Sequence, residues 1–297
     1  MKKFKVNLHV CDGCNYRCRH CFAHFAPHTY RNAADWKRII DNCLESGLAD
    51  SFNFAGGEPM LYPELMDVVK YAHSKGAACS LITNGFLMTP EWAAENAQYF
   101  QTVGFSLDGF DADMLRNLGR ATVKGEVLSL SVLRENIAAL KAANPNIRIK
   151  VNTVVSACNC DENVAETLKT MPVDRWKILK MMPFRTDGFS NYDIEISDAV
   201  YGGFLRRNLE TLGIHDYQAG TVLMRTDEGM EVVAEQTVQG TYIMVDAGGF
   251  LVDDTLNSNY VRIADLTETP FAAAMNKLTL HEELYHSRYA ECDKAAM

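Results

Sequence analysis

No apolar run in this 297-residue sequence approaches the roughly 20 residues that a bilayer span needs. Positive charge is also scarce: 29 Lys and Arg stand against 38 Asp and Glu, a formal net charge of −9, which argues against a nucleic-acid surface binder. An anionic substrate would therefore have to be met by a local cluster of basic side chains. No internal repeat or low-complexity segment is present, which excludes a solenoid or a tail-like chain. No secretory signal is expected either, because MKKFKVNLHV has a basic tip but alternates apolar and polar residues at once, as a strand does. The nine cysteines are accordingly expected to sit reduced in a cytoplasmic setting, where clustered thiols bind metal or do redox work. What remains is a chain with 47% apolar and 23% charged residues, able to bury one large core.

Short strand-like runs alternate with helical periodicity up to about residue 185, the pattern of parallel βα units. Strands are predicted at 4–9, 51–54, 78–82, 103–107, 147–154 and 175–181, with helices at 33–47, 63–75, 90–98, 129–142 and 162–170 between them. A closed barrel usually needs eight units in about 250 residues, so six units and a different tail suit this length better. The expected fold is α/β: a partial (βα)6 TIM-like barrel over 1–190, followed by a C-terminal extension over 191–297 that completes the substrate site. A helix is predicted at 197–212, a hairpin at 241–246 and 249–254 around Ala247–Gly249, and a helical tail from about 269. Residues after about 290 are expected to be mobile.

Directly after the first strand, CNYRCRHCF places Cys14, Cys18 and Cys21 at CxxxCxxC spacing. Iron–sulfur clusters are usually held by four thiolates, so three on one loop would leave one iron open to chelate another molecule. The competing reading is zinc, which prefers four closed ligands, with Cys11, His20 and His24 near enough to contribute. Gly56–Pro59 (GGEP) after the second strand could be no more than a turn, although glycine backbone can come close to a ligand. With Thr83-Asn84-Gly85 after the third strand, these motifs resemble the radical S-adenosylmethionine superfamily. The resemblance implies a [4Fe-4S] cluster on the three cysteines and S-adenosylmethionine as cofactor. It further implies that Tyr16, Phe22, Gly56, Gly57, Glu58, Thr83, Asn84, Ser106 and Arg120 surround that cofactor. Taken alone, a serine at a strand end is more often structural.

The fifth strand, IRIKVNTVV, puts Arg148, Lys150 and Asn152 on one face and Ile147, Ile149 and Val151 on the other. Parallel strands are normally covered on both faces and read as apolar runs, so a cationic stripe needs a purpose. Arg175 and Lys177 repeat the pattern on the sixth strand, followed by Lys180 and Arg185, while Lys5, Asn7 and His9 share a face of the first. Phosphate would suit the cations, and Asn and His could read a base or sugar. For any single lysine, pairing with one of the acidic residues is the commoner role.

The segments VNLHVCDGCNYRCRHCF, NFAGGEPML, KVNTVV, RWKILK and TYIMVD resemble, in order, those of viperin and its prokaryotic relatives, from residue 5 to about 254. That family converts a nucleoside triphosphate to its 3′-deoxy-3′,4′-didehydro analogue, which ends viral RNA chains. The resemblance implies that Lys150, Lys177 and Arg175 hold the phosphates and that Asn7, His9 and Asn152 contact the nucleoside. Tyr242 would close over the nucleotide and relay a hydrogen atom, whereas an isolated strand tyrosine is more often core. An external one-electron donor is implied as a partner, and neither nucleic acid nor membrane. Two departures stand out. Ala26 occupies the register of a phosphate-binding lysine, and TLNSNYVRIADL lacks the basic loop of the relatives, leaving phosphate number and base open. His24, His28 and Arg31 are candidate replacements. The six other cysteines, among them Cys158 and Cys160 two apart, read as buried small hydrophobes or incidental thiols.

Overall fold

The computed structural model describes residues 3–21, 30–186, 188–215, 222–235, 239–255 and 261–289. Phe22, His24, Ala26, His28 and the expected mobile end lie outside them. The elements in chain order are β1 (Phe4–His9), α1 (Ala33–Glu45), β2 (Ala49–Ala55), α2 (Leu65–Ser74), β3 (Ala78–Thr83), α3 (Pro90–Asn96) and β4 (Thr102–Ser106). Then come α4 (Ala112–Asn117), α5 (Leu130–Ala143), β5 (Arg148–Val155), α6 (Val164–Leu168), β6 (Arg175–Lys180), β7 (Arg185–Thr186), β8 (Phe189–Ser190) and α7 (Asp198–Thr211). The chain closes with β9 (Val222–Arg225), β10 (Glu231–Glu235), β11 (Ile243–Val245), β12 (Phe250–Asp253), β13 (Val261–Asp265), α8 (Phe271–Met275) and α9 (Glu282–Tyr289). Among the described residues, no helix is long and apolar enough to cross a membrane.

Two compact units are formed. The first comprises residues 1–13, 26–79 and 238–297, the second residues 14–25 and 80–237. In the first, β1 lies between β2 and β11 and is parallel to both, with Asn7 opposite Asn53 and Met244. The antiparallel pairs β11–β12 and β12–β13 extend it, so the expected hairpin forms, with Met244 opposite Val252. Helix α1 starts because Asn32 accepts from the Asp35 amide at 2.9 Å, and it buries Trp36, Ile39, Ile40 and Cys43, a stripe at i, i+3, i+4 and i+7. These side chains and Val6, Leu8, Phe52 and Phe54 of the strands are fully buried.

In the second unit β3, β4, β5, β6 and β10 are consecutive parallel neighbours, and β9 pairs antiparallel with β10. The predicted alternation of β5 is observed. Ile149, Val151, Thr153 and Val155 are buried, while Arg148, Lys150 and Asn152 lie half-buried on the other face. Trp176 is fully buried and its indole N–H donates to Thr153 Oγ1 at 2.9 Å, which in turn donates to the Leu107 carbonyl at 2.6 Å. Elements not anticipated are α4, the β7–β8 pair, β9, β10 and β13. A six-residue helix and two- to five-residue strands are too short to display a period.

Candidate active site and cluster loop

The loop bearing the three cysteines is tied to the turn after α4. Arg17 N–H donates to the Gly119 carbonyl at 3.0 Å and Arg19 N–H to the Leu118 carbonyl at 2.9 Å. Gly119 has φ of 77°, and a Cβ there would lie 2.1 Å from the Arg17 carbonyl oxygen, so only glycine lets the two segments meet. Cys18 is buried, whereas Cys14 and Cys21 are partly exposed, and none of the three forms a disulfide. Nitrogen donors reach two of them. Cys14 Sγ accepts from the Tyr16 amide at 3.4 Å and from Asn84 Nδ2 at 3.9 Å, and Cys18 Sγ accepts from Arg120 at 3.5 Å.

Asn84 is fixed by the turn it belongs to. Its Nδ2 donates to Asn15 Oδ1 at 2.7 Å, its Oδ1 accepts from the Phe86 amide at 2.9 Å, and Thr83 Oγ1 accepts from the Gly85 amide at 2.9 Å. Arg120 is held more tightly still. Its guanidinium lies 3.1 Å from Asp108 through Nε, donates to the Ser106 carbonyl, and sits 5.9 Å from the Tyr16 ring centre. Burial pulls the Arg120 pKa down, but Asp108 and Cys18 outweigh it and leave it raised. Burial drives the Cys18 thiol up to about 11, partly opposed by Arg120. Tyr16, Asn84, Ser106 and Arg120 together line an open cleft walled by Leu115 and Leu133. Phe22 lies outside the described residues.

Within the first unit, GGEP is packed onto the chain just before Cys14. The Gly57 amide donates to the Cys11 carbonyl and the Glu58 amide to the Gly13 carbonyl, each at 2.7 Å. A Cβ on Gly57 would stand 2.2 Å from the Gly13 carbonyl oxygen, and one on Gly56 2.4 Å from that of Cys11. The glycines are thus required by the protein's own backbone. Glu58 is buried and its carboxylate accepts from the Met60 amide at 3.1 Å, capping the turn over Pro59–Leu61. Asn7 donates to the Ile243 carbonyl at 3.1 Å and accepts from Asn53, a residue sequence reasoning passed over, at 2.9 Å. Burial depresses His9 to about 4, against the opposing pull of Asp246, so its imidazole is neutral at physiological pH. Tyr242 is half-buried just before β11 rather than inside it. Arg31, a candidate replacement cation, is engaged elsewhere, donating to the Gly248 carbonyl at 2.7 Å and to Asp265 at 2.6 Å.

On the polar face of the second unit, Ser106 is opposite Asn152 and Asn152 is opposite Lys177, a single row that starts at the carboxyl end of β4 and crosses the middle of β5 and β6. Lys150 and Arg175 form the row beneath. The bare expectation of free cations needs amendment here. Lys177 lies 2.9 Å from Glu235, Arg175 lies 3.7 Å from Glu231, and Lys180 pairs with Asp198 at 2.7 Å. Both glutamates come from β10. Asp108, Glu231 and Glu235 are the site residues that sequence reasoning missed. The glutamates' spacing of four would have placed them on one strand face had β10 been recognised.

The donor set suits an iron–sulfur cluster, whose sulfurs commonly receive N–H hydrogen bonds. Among the described residues, no group of three or more His, Cys, Asp or Glu converges as ligands of one ion would. Cluster cysteines do not need to converge, since each binds a different iron.

A model of the radical SAM superfamily matches residues 8–171. An S-adenosylmethionine-dependent nucleotide dehydratase from Selenomonas ruminantium is 38% identical over 293 residues, covering 97% of this chain and 99% of its own. One from Psychrobacter lutiphocae is 30% identical over 306 residues, covering 97% and 95%. Among solved structures, anSMEcpe with bound AdoMet superposes with a TM-score of 0.67 at 16% identity, covering 95% of this chain and 79% of that one. Streptococcus suis SuiB bound to S-adenosylmethionine gives 0.67 at 12% identity, covering 96% and 67%. The fold is thus the radical SAM fold, as the expected partial (βα)6 barrel with a C-terminal extension requires. The chain belongs to the radical SAM superfamily and, within it, to the S-adenosylmethionine-dependent nucleotide dehydratases. Its cofactors are those of the superfamily, a [4Fe-4S] cluster and S-adenosylmethionine.

Proposed function

We propose that this enzyme dehydrates a nucleoside triphosphate to its 3′-deoxy-3′,4′-didehydro analogue. Cys14, Cys18 and Cys21 hold the cluster, with Tyr16, Asn84 and Arg120 supplying hydrogen bonds to the sulfurs. Gly56, Gly57, Glu58, Thr83, Asn84 and Ser106 surround S-adenosylmethionine, as do Tyr16 and Phe22. When bound, the two cofactors supply a 5′-deoxyadenosyl radical, which takes the C4′ hydrogen of the ribose. The 3′-hydroxyl then leaves with a proton as water, and a second electron from an external donor closes the shell of the product.

The observation that supports this reading is the row Ser106–Asn152–Lys177, in which a serine at the carboxyl end of β4 is followed across the sheet by a polar and a cationic residue. In barrels of this kind chemistry gathers at such ends. Lys150, Lys177 and Arg175 take the phosphates and Asn152 the sugar. In the first unit Asn7 and neutral His9 face the nucleoside, the former held in place by Asn53. Tyr242 closes over the nucleotide and relays a hydrogen atom. Residues 1–190 form the catalytic core, and 191–297 complete the substrate site, β10 through β6 and β11 through β1. The protein works in the cytoplasm.

The test is anaerobic turnover of the reconstituted, dithionite-reduced enzyme with S-adenosylmethionine and each of CTP, UTP, GTP and ATP. 5′-Deoxyadenosine and nucleotide products are followed by mass spectrometry. One nucleotide should stimulate cleavage and emerge lighter by one water; cleavage indifferent to every nucleotide refutes the proposal.

A further inference from the structure

β10 runs parallel to β6 with Glu231 opposite Arg175 and Val233 opposite Lys177. Side chains alternate along a strand, so Glu231 and Glu235 share the face of Arg175, Lys177, Lys150 and Asn152. The two carboxylates meet different surroundings. Glu231, at the amino-terminal end, is flanked by three guanidiniums: Arg148 at 2.7 Å, Arg225 at 2.9 Å and Arg175 at 3.7 Å. Glu235, at the carboxyl-terminal end, stands 2.9 Å from Lys177, with the side chains only 2% and 4% exposed. Lys177 occupies the row of Ser106 and Asn152, where the nucleotide is read above. A phosphate that reaches this lysine meets a carboxylate already on it. Like charges brought together in a buried site repel strongly, and the repulsion grows with the charge of the incoming group.

We propose that Glu235 is a specificity-determining residue, a built-in counter-anion on Lys177 that reduces the affinity gained from each added phosphate of the nucleotide. The inference rests on the reading of Lys177 as a phosphate-binding cation. It predicts an enzyme that separates mono-, di- and triphosphates weakly, in keeping with the alanine at position 26 and the basic-poor segment before β13. A purely structural ion pair would leave that separation untouched when its charge is altered.

The experiment is calorimetric binding of the mono-, di- and triphosphates of each nucleoside to the cluster-loaded enzyme with S-adenosylmethionine. The cluster is kept oxidised so that nothing turns over. In Glu235→Gln the triphosphate should bind about tenfold tighter and the monophosphate gain less, so the spread across the series widens. Under turnover the KM for the triphosphate should fall further than that for the diphosphate. Glu235→Asp retains the charge but retracts it, and should shift the series the same way by less; it gives the answer if the glutamine variant does not fold. A folded variant with the wild-type spread overturns the inference alone. Failure of every nucleotide to bind the wild type overturns the nucleotide reading itself, and the inference with it.

Discussion

Asp108 offers a direct test of how the cluster loop is held. It is 1% exposed, its Oδ1 accepts from the Val154 amide at 2.7 Å, and its Oδ2 faces Arg120 Nε at 3.1 Å and His20 Nε2 at 3.6 Å. In Asp108→Asn the amide oxygen can still serve Val154, but Arg120 keeps its charge in a buried place without its carboxylate. Breaking one half of a buried pair costs about 3–5 kcal/mol, which for a chain of this size lowers Tm by roughly 10 °C. The melt is taken on cluster-free protein, because ligand binding would stabilise the fold by itself. Arg120 also touches the Ser106 carbonyl, Cys18 Sγ and the Tyr16 ring, so iron bound on reconstitution should fall in parallel. Asp108→Asn/Arg120→Gln removes both charges and should regain a large part of the loss, since neighbouring sites couple. A single variant melting within roughly 2 °C of wild type, or a double variant no better than the single, refutes the reasoning.

Gly57→Ala drives a methyl into the Gly13 carbonyl and strains the two 2.7 Å backbone bonds beside it, an expected loss of about 2–4 kcal/mol seen by thermal melting, with lowered iron content. Cys18→Ala should bind little iron or sulfide on anaerobic reconstitution and yield no 5′-deoxyadenosine. His9 titrates near 4 when folded and near 6.5 when unfolded, so between these values the unfolded chain binds more protons. Its share of stability is complete above pH 6.5 and is lost as pH falls toward 4, about 3 kcal/mol in all; His9→Asn should flatten that part of the pH–stability curve. Lys150→Met should raise the KM for the nucleotide several-fold, read by steady-state turnover.

The parallel βα frame was legible because the strands through residue 180 carry their apolar residues at period two or in a short run, and helices such as α1 show their stripe plainly. The loop of Cys14, Cys18 and Cys21 stood out because three thiols at fixed spacing have few other uses. β10 was not, since EVVAE begins and ends on carboxylates that disfavour a strand until Arg148, Arg175 and Lys177 neutralise them. Those partners lie more than 50 residues upstream, and only the fold brings them near. The same applies to Asp108, visible in the SLD triplet but without a stated role until Arg120 is seen against it. Reasoning from glycine to ligand also stopped short at Gly56 and Gly57, whose immediate neighbour is the chain itself.

Strand β1 has β2 on one edge and β11 on the other, with Val6 opposite Ile243. Until residue 245 has been synthesised, that second edge has no ladder partner and Asn7 has no Ile243 carbonyl to donate to. Loop closure over some 235 residues is slow, and an unpaired edge of buried Val6 and Leu8 recruits other chains. Between the synthesis of β1 and that of β11 the chain therefore carries an adhesive margin. Chains that end prematurely before β11 should be found in aggregates rather than as folded fragments.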